Sequence, residues 1–337
     1  MDHSERTEFQ TTLNSLLAEY ASNPIGLSSA LDELGWHDVV ADEPSAAMLL
    51  FRERGYAVAS GGTLDDSALR FLDIDPHRRA VLYPTTVYPA ANREQLFAPT
   101  APPSGDGRVS GVIRRPEGYD KLLIAVGDSG DTHLVEVAQT AITAQSPAPW
   151  DPDEDIITVD VDVRAAQSYS GPNTLAWEDM VSVARRSLAA ELVGLAAYAL
   201  DLAIDHAVKR QQFGRSIGSF QATRFHLAEA RVAVESAAEA VRLAYASETP
   251  LACALAKNLA GSATETACRK AIQVCGAMGL TWEFPLHRIV RRALILDAIL
   301  GGHRETTIEF GRRVMTAESY PAVNPLEIDP DSMSVPI

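Results

Sequence analysis

The sequence predicts an α+β chain in three parts: a short helical N-terminal unit, a middle antiparallel β unit and a C-terminal four-helix bundle. Three observations predict it. Apolar residues recur at helical spacing through the first 75 or so positions. From Arg79 the pattern changes to short β-rich runs punctuated by Pro and Gly. From Thr174 helical periodicity returns and holds almost to the end, in long segments joined by short links.

In the first part, residues 4–22 read as a helix that Ser4 can cap, with Phe9, Leu13, Leu16 and Tyr20 on one face. A second helix is predicted over 27–36, and two more over Ala46–Arg54 and Ser67–Leu72. The N-terminal helical domain, shortened, is assigned to 1–78. The middle domain, 79–165, takes its strands from 80–83, 109–113, 121–126, 132–137, 140–144 and 156–163. No helix intervenes, so an antiparallel sheet or small barrel is expected and βαβ units are not. The stretch 94–108, with Pro102, Pro103, Gly105 and Gly107, reads as a flexible loop.

The bundle is assigned to 174–316. Its first helix, Trp177–Val208, is apolar nearly all round, as a central helix should be. Helices over 220–247, 251–278, 286–300 and 303–316 follow, and Glu248-Thr249-Pro250 separates the second from the third. The tail, 317–337, carries Pro321, Pro325, Pro330 and Pro336 and reads as an arm or a disordered segment.

Composition narrows the function. The 337 residues exceed what one core usually covers. With 29 Lys+Arg against 45 Asp+Glu the chain carries −16, a field that repels nucleic acid and anionic membrane. Cys253, Cys268 and Cys275 fit no metal spacing and read as buried, reduced thiols of a cytoplasmic protein. His206, His226, His287 and His303 are scattered, so no metal site is expected among them. The N-terminus lacks the layout of a signal peptide, and Asp, Glu and Arg interrupt the apolar runs, so no membrane span is expected.

Against this acidic background Lys209, Arg210 and Arg215 crowd the break between two long apolar helices. Gly214 and Gly218 stand where a left-handed helix C-cap would go, and Ser219 can N-cap the helix that begins at Phe220-Gln221. A guanidinium near an aromatic ring suits the phosphate and base of a nucleotide. An ordinary helix hairpin whose Arg caps its own C-terminus fits the same residues.

Helical unit, β unit and four-helix bundle follow one another as in the acyl-CoA dehydrogenases, and the C-terminal half resembles that family motif by motif. Arg210-x-x-Phe213-Gly214, Phe220-Gln221 and Gln273-x-x-Gly276-x-x-Gly279 resemble segments that cradle FAD in the family, and Arg291-Arg292-Ala293 resembles its Arg-Asp-Ala run. The resemblance implies that FAD lies across a subunit interface. Arg210 and Phe213 would meet the pyrophosphate and adenine of a neighbour's flavin; Gln221, Gln273 and the Gly276 backbone would complete that cradle. Ala277 replaces the family's second Gly.

The reaction implied is α,β-desaturation of an acyl-CoA thioester, in which a carboxylate removes the α-proton while flavin accepts the β-hydride. Both positions where the resemblance places that carboxylate are apolar, Leu300 in one subfamily and Ala184 in another. The flavin-facing segment of the β domain, expected near 80–95, and the aromatic-Ile-Ser/Thr run, expected among Arg114, Arg115, Pro116 and Glu117, have no clear match. The chain therefore resembles the short, non-catalytic-type subunits of heteromeric α2β2 enzymes of the family, several of which act in steroid side-chain breakdown, with acyl-CoA bound on the partner. Two alternatives stay open. One is a self-sufficient dehydrogenase whose base has moved to Glu191 or Glu305. The other is a flavin-free scaffold of the same fold. His287, Arg288, Arg291 and Arg292 are expected to form a solvated or inter-subunit basic face.

Overall fold

The computed structural model describes residues 3–20, 27–43, 45–59, 63–85, 107–114, 118–128, 131–147, 156–164, 166–168 and 177–316. Of the loop predicted over 94–108 all but 107 and 108 lie outside the described residues, as do 86–95 of the expected flavin-facing segment, the run 115–117 and the tail 317–337.

Among the described residues the N-terminal part holds five helices: α1 (His3–Tyr20), α2 (Leu27–Glu33), α3 (Trp36–Asp42), α4 (Ser45–Ala57) and α5 (Thr63–Phe71). Where one helix was predicted over 27–36 there are two, because Gly35 turns the chain at φ 68° in the left-handed region. α3 carries Trp36, which stacks on Phe9 of α1 with ring centroids 5.8 Å apart. α5 begins four residues before the predicted Ser67, with Asp65 and Asp66 in its first turn.

Among the described residues seven strands follow in two sheets: β1 (Arg79–Leu82), β2 (Arg108–Ile113), β3 (Lys121–Asp128), β4 (Asp131–Ala138), β5 (Ile142–Pro147), β6 (Ile157–Asp162) and β7 (Gln167–Ser168). One sheet runs β1-β3-β4-β7 and the other β2-β6-β5, with an isolated bridge, Tyr83 to Val112, between them. The expectation of purely antiparallel pairing fails at β1 and β3, which pair in parallel from Arg79↔Lys121 to Leu82↔Ile124. The chain leaves β1, crosses to the second sheet as β2 and only then returns as β3. That detour gives parallel neighbours the long connection they require. Strand alternation sorts the side chains into two cores. Ala80 and Leu82 join Leu122, Ile124, Val135 and Val159 in the β domain's own core, while Val81, Tyr83, Leu123 and Leu134 face the helices.

The bundle comprises α6 (Trp177–Lys209), α7 (Gln221–Ser247), α8 (Pro250–Cys275) and α9 (Leu286–Ala298), with α10 (His303–Thr316) after it. By length and mean hydropathy, 1.6, α6 is as apolar as a helix that crosses a bilayer. Here 72% of its apolar window is buried against neighbouring elements, which is what the core helix of a bundle shows. α8 starts as predicted: Thr249 Oγ1 accepts from the Ala252 N–H at 3.2 Å and Pro250 takes the first helical position. α4 crosses α6 at backbone contact. A Cβ on Gly194 would sit 2.0 Å from the Arg52 carbonyl oxygen, and one on Gly55 1.9 Å from that of Glu191. These reciprocal glycines let the N-terminal unit lie directly on the central helix.

Candidate functional site

Two separate places in the fold carry the residues singled out from the sequence. The first is the end of the bundle where α6 stops, α7 starts and α8 stops. The predicted helix caps are not found there. Gly214 instead closes a two-residue hairpin turn between β8 (Gln211–Gln212) and β9 (Arg215–Ser216), with Phe213 at φ 53° and Gly214 at φ 77°. Positive φ at both central residues is the type I′ geometry that suits a tight hairpin. Ser219 does not N-cap α7: its hydroxyl donates to the Ser216 carbonyl at 2.7 Å, and Phe220 holds the cap position without a side-chain bond. Gly218 lies against α6, where an added Cβ would sit 3.0 Å from the Ala207 oxygen.

The hairpin displays its aromatic and cationic groups outward. Phe213 is 91% exposed and meets Phe220 edge-on at 6.1 Å, and the Arg215 guanidinium lies 4.2 Å over the Phe220 ring. Arg210 and Gln221 are exposed beside it. Gln273 and Gly276 share this end of the bundle, since α8 runs alongside α6. His206 in the last turn of α6 packs edge-on against Phe284, which follows the Gly276 turn, at 6.5 Å. Gly276 ends α8 at φ 60°, and its N–H donates to the Ile272 carbonyl. That leaves Gly276 to offer a bare surface for close approach, with nothing within 4 Å of where a Cβ would be.

The second place is the junction of all three parts. Leu300 is fully buried in the left-handed region at φ 58°, a strained conformation for a non-Gly residue. It is held from two sides. Its N–H donates to the Pro84 carbonyl just past β1 at 2.9 Å. Its carbonyl accepts from Arg185 Nη2 at 2.7 Å and Nε at 3.1 Å. Ala184, next to Arg185 on α6, is also fully buried. Arg185 thus ties α6, one residue past Ala184, to Leu300. Burial pushes the Arg185 guanidinium down to about 10.

Deeper in the junction lies an ion cluster that the sequence did not announce. Glu191, two turns along α6 from Ala184, is 1% exposed and takes a bidentate pair of hydrogen bonds from Arg114, both 3.0 Å. Arg292 and Arg54 approach the same carboxylate at 3.7 and 4.0 Å, and each also reaches the Ala59 carbonyl at 3.4 Å. Burial alone would raise the Glu191 carboxyl, but the guanidiniums of Arg114, Arg54 and Arg292 outweigh it and hold it below the usual carboxylate range. A base that must capture a proton near neutrality needs the opposite shift. Glu191 is a counter-ion. Arg292 accordingly leaves the expected basic face. It sits three residues beyond Ile289 and four before Leu296 on the apolar side of α9, and that position was the available signal. His287 stacks on Trp282 at 4.4 Å with Arg291 over the same ring at 5.8 Å, and the indole is 75% exposed.

Glu305 is exposed in the first turn of α10, where the helix dipole favours an acid and water prevents the desolvation a base requires. Its neighbour His303, read as unremarkable in the sequence, bridges two carboxylates: Nδ1 to Asp297 at 2.7 Å and Nε2 to Glu265 at 3.0 Å. Buried Lys257 donates to the Asp297 carbonyl at 2.7 Å, and burial lowers its ammonium to about 8. This network pins the Gly301 turn and so fixes Leu300. Cys253, Cys268 and Cys275 are free and buried, and burial raises their thiols to about 11, 12 and 11.

Along α6 the Ala184 position and the Lys209 end are separated by roughly 37 Å at 1.5 Å per residue. A flavin dinucleotide, even fully extended, does not bridge that distance. The outward Arg210 and Phe213 offer a guanidinium and an aromatic face, groups that suit phosphate and base. Among the described residues, the Glu191 ion cluster fills the junction and apolar side chains stand at positions 184 and 300.

Residues 176–316 match the family model described as acyl-CoA dehydrogenase, C-terminal domain. The acyl-CoA dehydrogenase IpdE2 of Mycolicibacterium smegmatis is 28% identical over 320 residues, 89% of this chain and 96% of that protein. Among solved structures, the Tcur3481-Tcur3483 steroid ACAD superposes with a TM-score of 0.71 at 22% identity, over 93% of this chain and 98% of the other. The ChsE4-ChsE5 complex from Mycobacterium tuberculosis does so with 0.63 at 16%, over 95% and 99%. The fold is theirs, and its order of helical unit, β unit and bundle is the one the sequence predicted.

Proposed function

From the premise that this chain resembles the acyl-CoA dehydrogenases along its length and that its bundle is their C-terminal domain, we propose that it is the partner subunit of a heteromeric, FAD-dependent acyl-CoA dehydrogenase. Members of the family bind FAD. In this reading the chain completes the flavin site of a catalytic subunit and holds no base itself. The single observation that supports it is the outward placement of Arg210, Phe213 and Gln221 just past the Lys209 end of α6, well apart from the buried Glu191 cluster midway along the same helix.

FAD, when bound, supplies the acceptor for the β-hydride of the acyl thioester. The chain's own residues bind and orient. Arg210 forks onto phosphate, Phe213 offers a stacking face, and Gln221 and Gln273 donate hydrogen bonds where Gly276 permits close approach. The likeness to a steroid ACAD and to the two-chain ChsE4-ChsE5 complex supports an α2β2 partner and a steroid-derived or fatty acyl-CoA on that partner. Expression of the chain alone and together with an acyl-CoA dehydrogenase-type chain from a neighbouring gene tests this. Flavin and acyl-CoA oxidation arising only in the pair are expected. Turnover by the solitary chain overturns the reading.

A further inference from the structure

α9 runs back along α8 from the turn at Gly279 to a close contact at the other end, where a Cβ on Gly261 would sit 2.0 Å from Asp297 Oδ1. Between these two helices and the start of α10 lies a cavity of about 480 Å³, within the roughly 300–1,000 Å³ of small-molecule sites. Its lining spans Gly261 to Ile272 on α8, about 16 Å of helix at 1.5 Å per residue. The two ends differ in chemistry. Towards the start of α9 the walls are apolar: Cys268, Ile272, Val290, Ala293 and Leu294. Ile272 and Val290 are half-buried and Leu294 is exposed, so part of this apolar wall is left outside the core.

Towards the start of α10 the walls are ionic. Both His303 nitrogens lie at hydrogen-bond distance from carboxylate oxygens, Nδ1 on Asp297 and Nε2 on Glu265. Ionised carboxylates only accept, so both nitrogens carry protons and the ring is a cation. Two exposed rim guanidiniums share the same Glu265, Arg304 at 2.6 Å and Arg269 at 3.5 Å. With Lys257 behind Asp297, four cations at this end meet the carboxylates of Glu265, Asp297 and Glu305, an excess of one positive charge in an acidic chain. Each guanidinium has five N–H donors, and one carboxylate shared this way leaves donors at the rim for a second anion.

We propose that this cleft binds an apolar organic anion, a medium-chain carboxylate in class, with its chain along Ile272, Val290 and Leu294 and its head group at Arg269 and Arg304. The site owes nothing to the partner-subunit reading, since neither the hairpin at 211–216 nor the Glu191 cluster lines it. Each methylene laid on the apolar wall leaves water, and the head group exchanges hydration for charge-assisted bonds from side chains that stay at the surface.

The test is isothermal titration calorimetry of decanoate into the full-length chain, without FAD. One decanoate per chain is expected, with a Kd below about 1 mM. Arg304→Glu should weaken it at least about tenfold, the equivalent of one charge-assisted bond, and decanol, which lacks the charge, should bind weaker by a similar factor. Leu294→Glu should abolish binding, whereas Leu243→Glu, the same change on the exposed face of α7, should leave it unaltered. All three side chains are exposed, so the variants should fold as wild type does, which their melts check. In the wild-type chain the methyl NMR signals of Ile272 and Val290 should move with decanoate, while those of Ile124 in the β domain's core should not. Absence of saturable binding, binding that survives Leu294→Glu, equal affinity for decanol, or unmoved Ile272 and Val290 methyls overturns the site. The partner reading is judged separately. A chain that retains flavin only in the pair yet binds no decanoate defeats this site alone, and acyl-CoA turnover by the solitary chain defeats the partner reading alone.

Discussion

Glu191→Gln is the sharpest perturbation of the junction. The side chain is 1% exposed, accepts two 3.0 Å bonds from Arg114, and lies within 4.0 Å of two further guanidiniums. Glutamine keeps the shape, but removes the charge that three buried cations share and replaces one acceptor by a donor. Two charge-assisted bonds at about 1.5–3 kcal/mol each, and the about 3–5 kcal/mol cost of breaking a buried ion pair, point to the same range. At about 2 °C per kcal/mol for a chain of this size, a fall of roughly 6–10 °C in Tm is expected. Thermal melts followed by circular dichroism at pH 7 measure it, with Glu235→Gln as the control. Glu235 pairs with Arg231 on the exposed face of α7, and its loss should cost under about 1 kcal/mol. A Glu191→Gln melt within about 1 °C of wild type would refute the counter-ion assignment. Unchanged stability with abolished acyl-CoA oxidation in the assembled enzyme would make Glu191 the base instead. Because the folded carboxyl is depressed, its contribution is present above the unfolded pKa and is lost as pH falls through the lower folded value.

Further consequences concern other parts of the chain. Arg210→Ala should weaken FAD binding by the assembled enzyme about 10- to 150-fold, the equivalent of one charge-assisted bond, while leaving the chain's own melting unchanged because Arg210 is exposed; flavin fluorescence on dilution reads it. Gly194→Ala should cost about 1–3 kcal/mol or more in urea titrations, since its Cβ would meet the Arg52 carbonyl at 2.0 Å and force α4 from α6. His303 hydrogen-bonds Asp297, and that raises the imidazole pKa despite partial burial. Its stabilisation should be complete below pH about 6.5 and fade as pH rises through the folded pKa, a slope in Tm that His303→Gln removes.

Element type was legible wherever periodicity was long: α6, α7, α8 and the strands β2 to β4 stand close to their predicted spans. Breaks governed by one or two residues were less so. Gly35 divides α2 from α3, and the Phe213-Gly214 turn makes a hairpin where helix caps were expected, because left-handed residues serve either purpose. The parallel β1–β3 pair depends on the chain's path through the second sheet, which no local pattern encodes. The exposed Lys209, Arg210 and Arg215 were legible as a break in an acidic, apolar pattern. The Glu191 cluster was not, since its members lie far apart in sequence at Arg54, Arg114 and Arg292, and an arginine on an apolar helix face reads as a surface residue until its counter-ion is found.

The central claim is that this chain lends residues to a flavin it does not itself hold. Its most direct test is the flavin absorbance of the purified full-length chain after incubation with excess FAD and desalting. The account predicts a colourless chain alone and flavin retained once the catalytic partner is present. A stoichiometrically yellow, catalytically active preparation of this polypeptide by itself would contradict it.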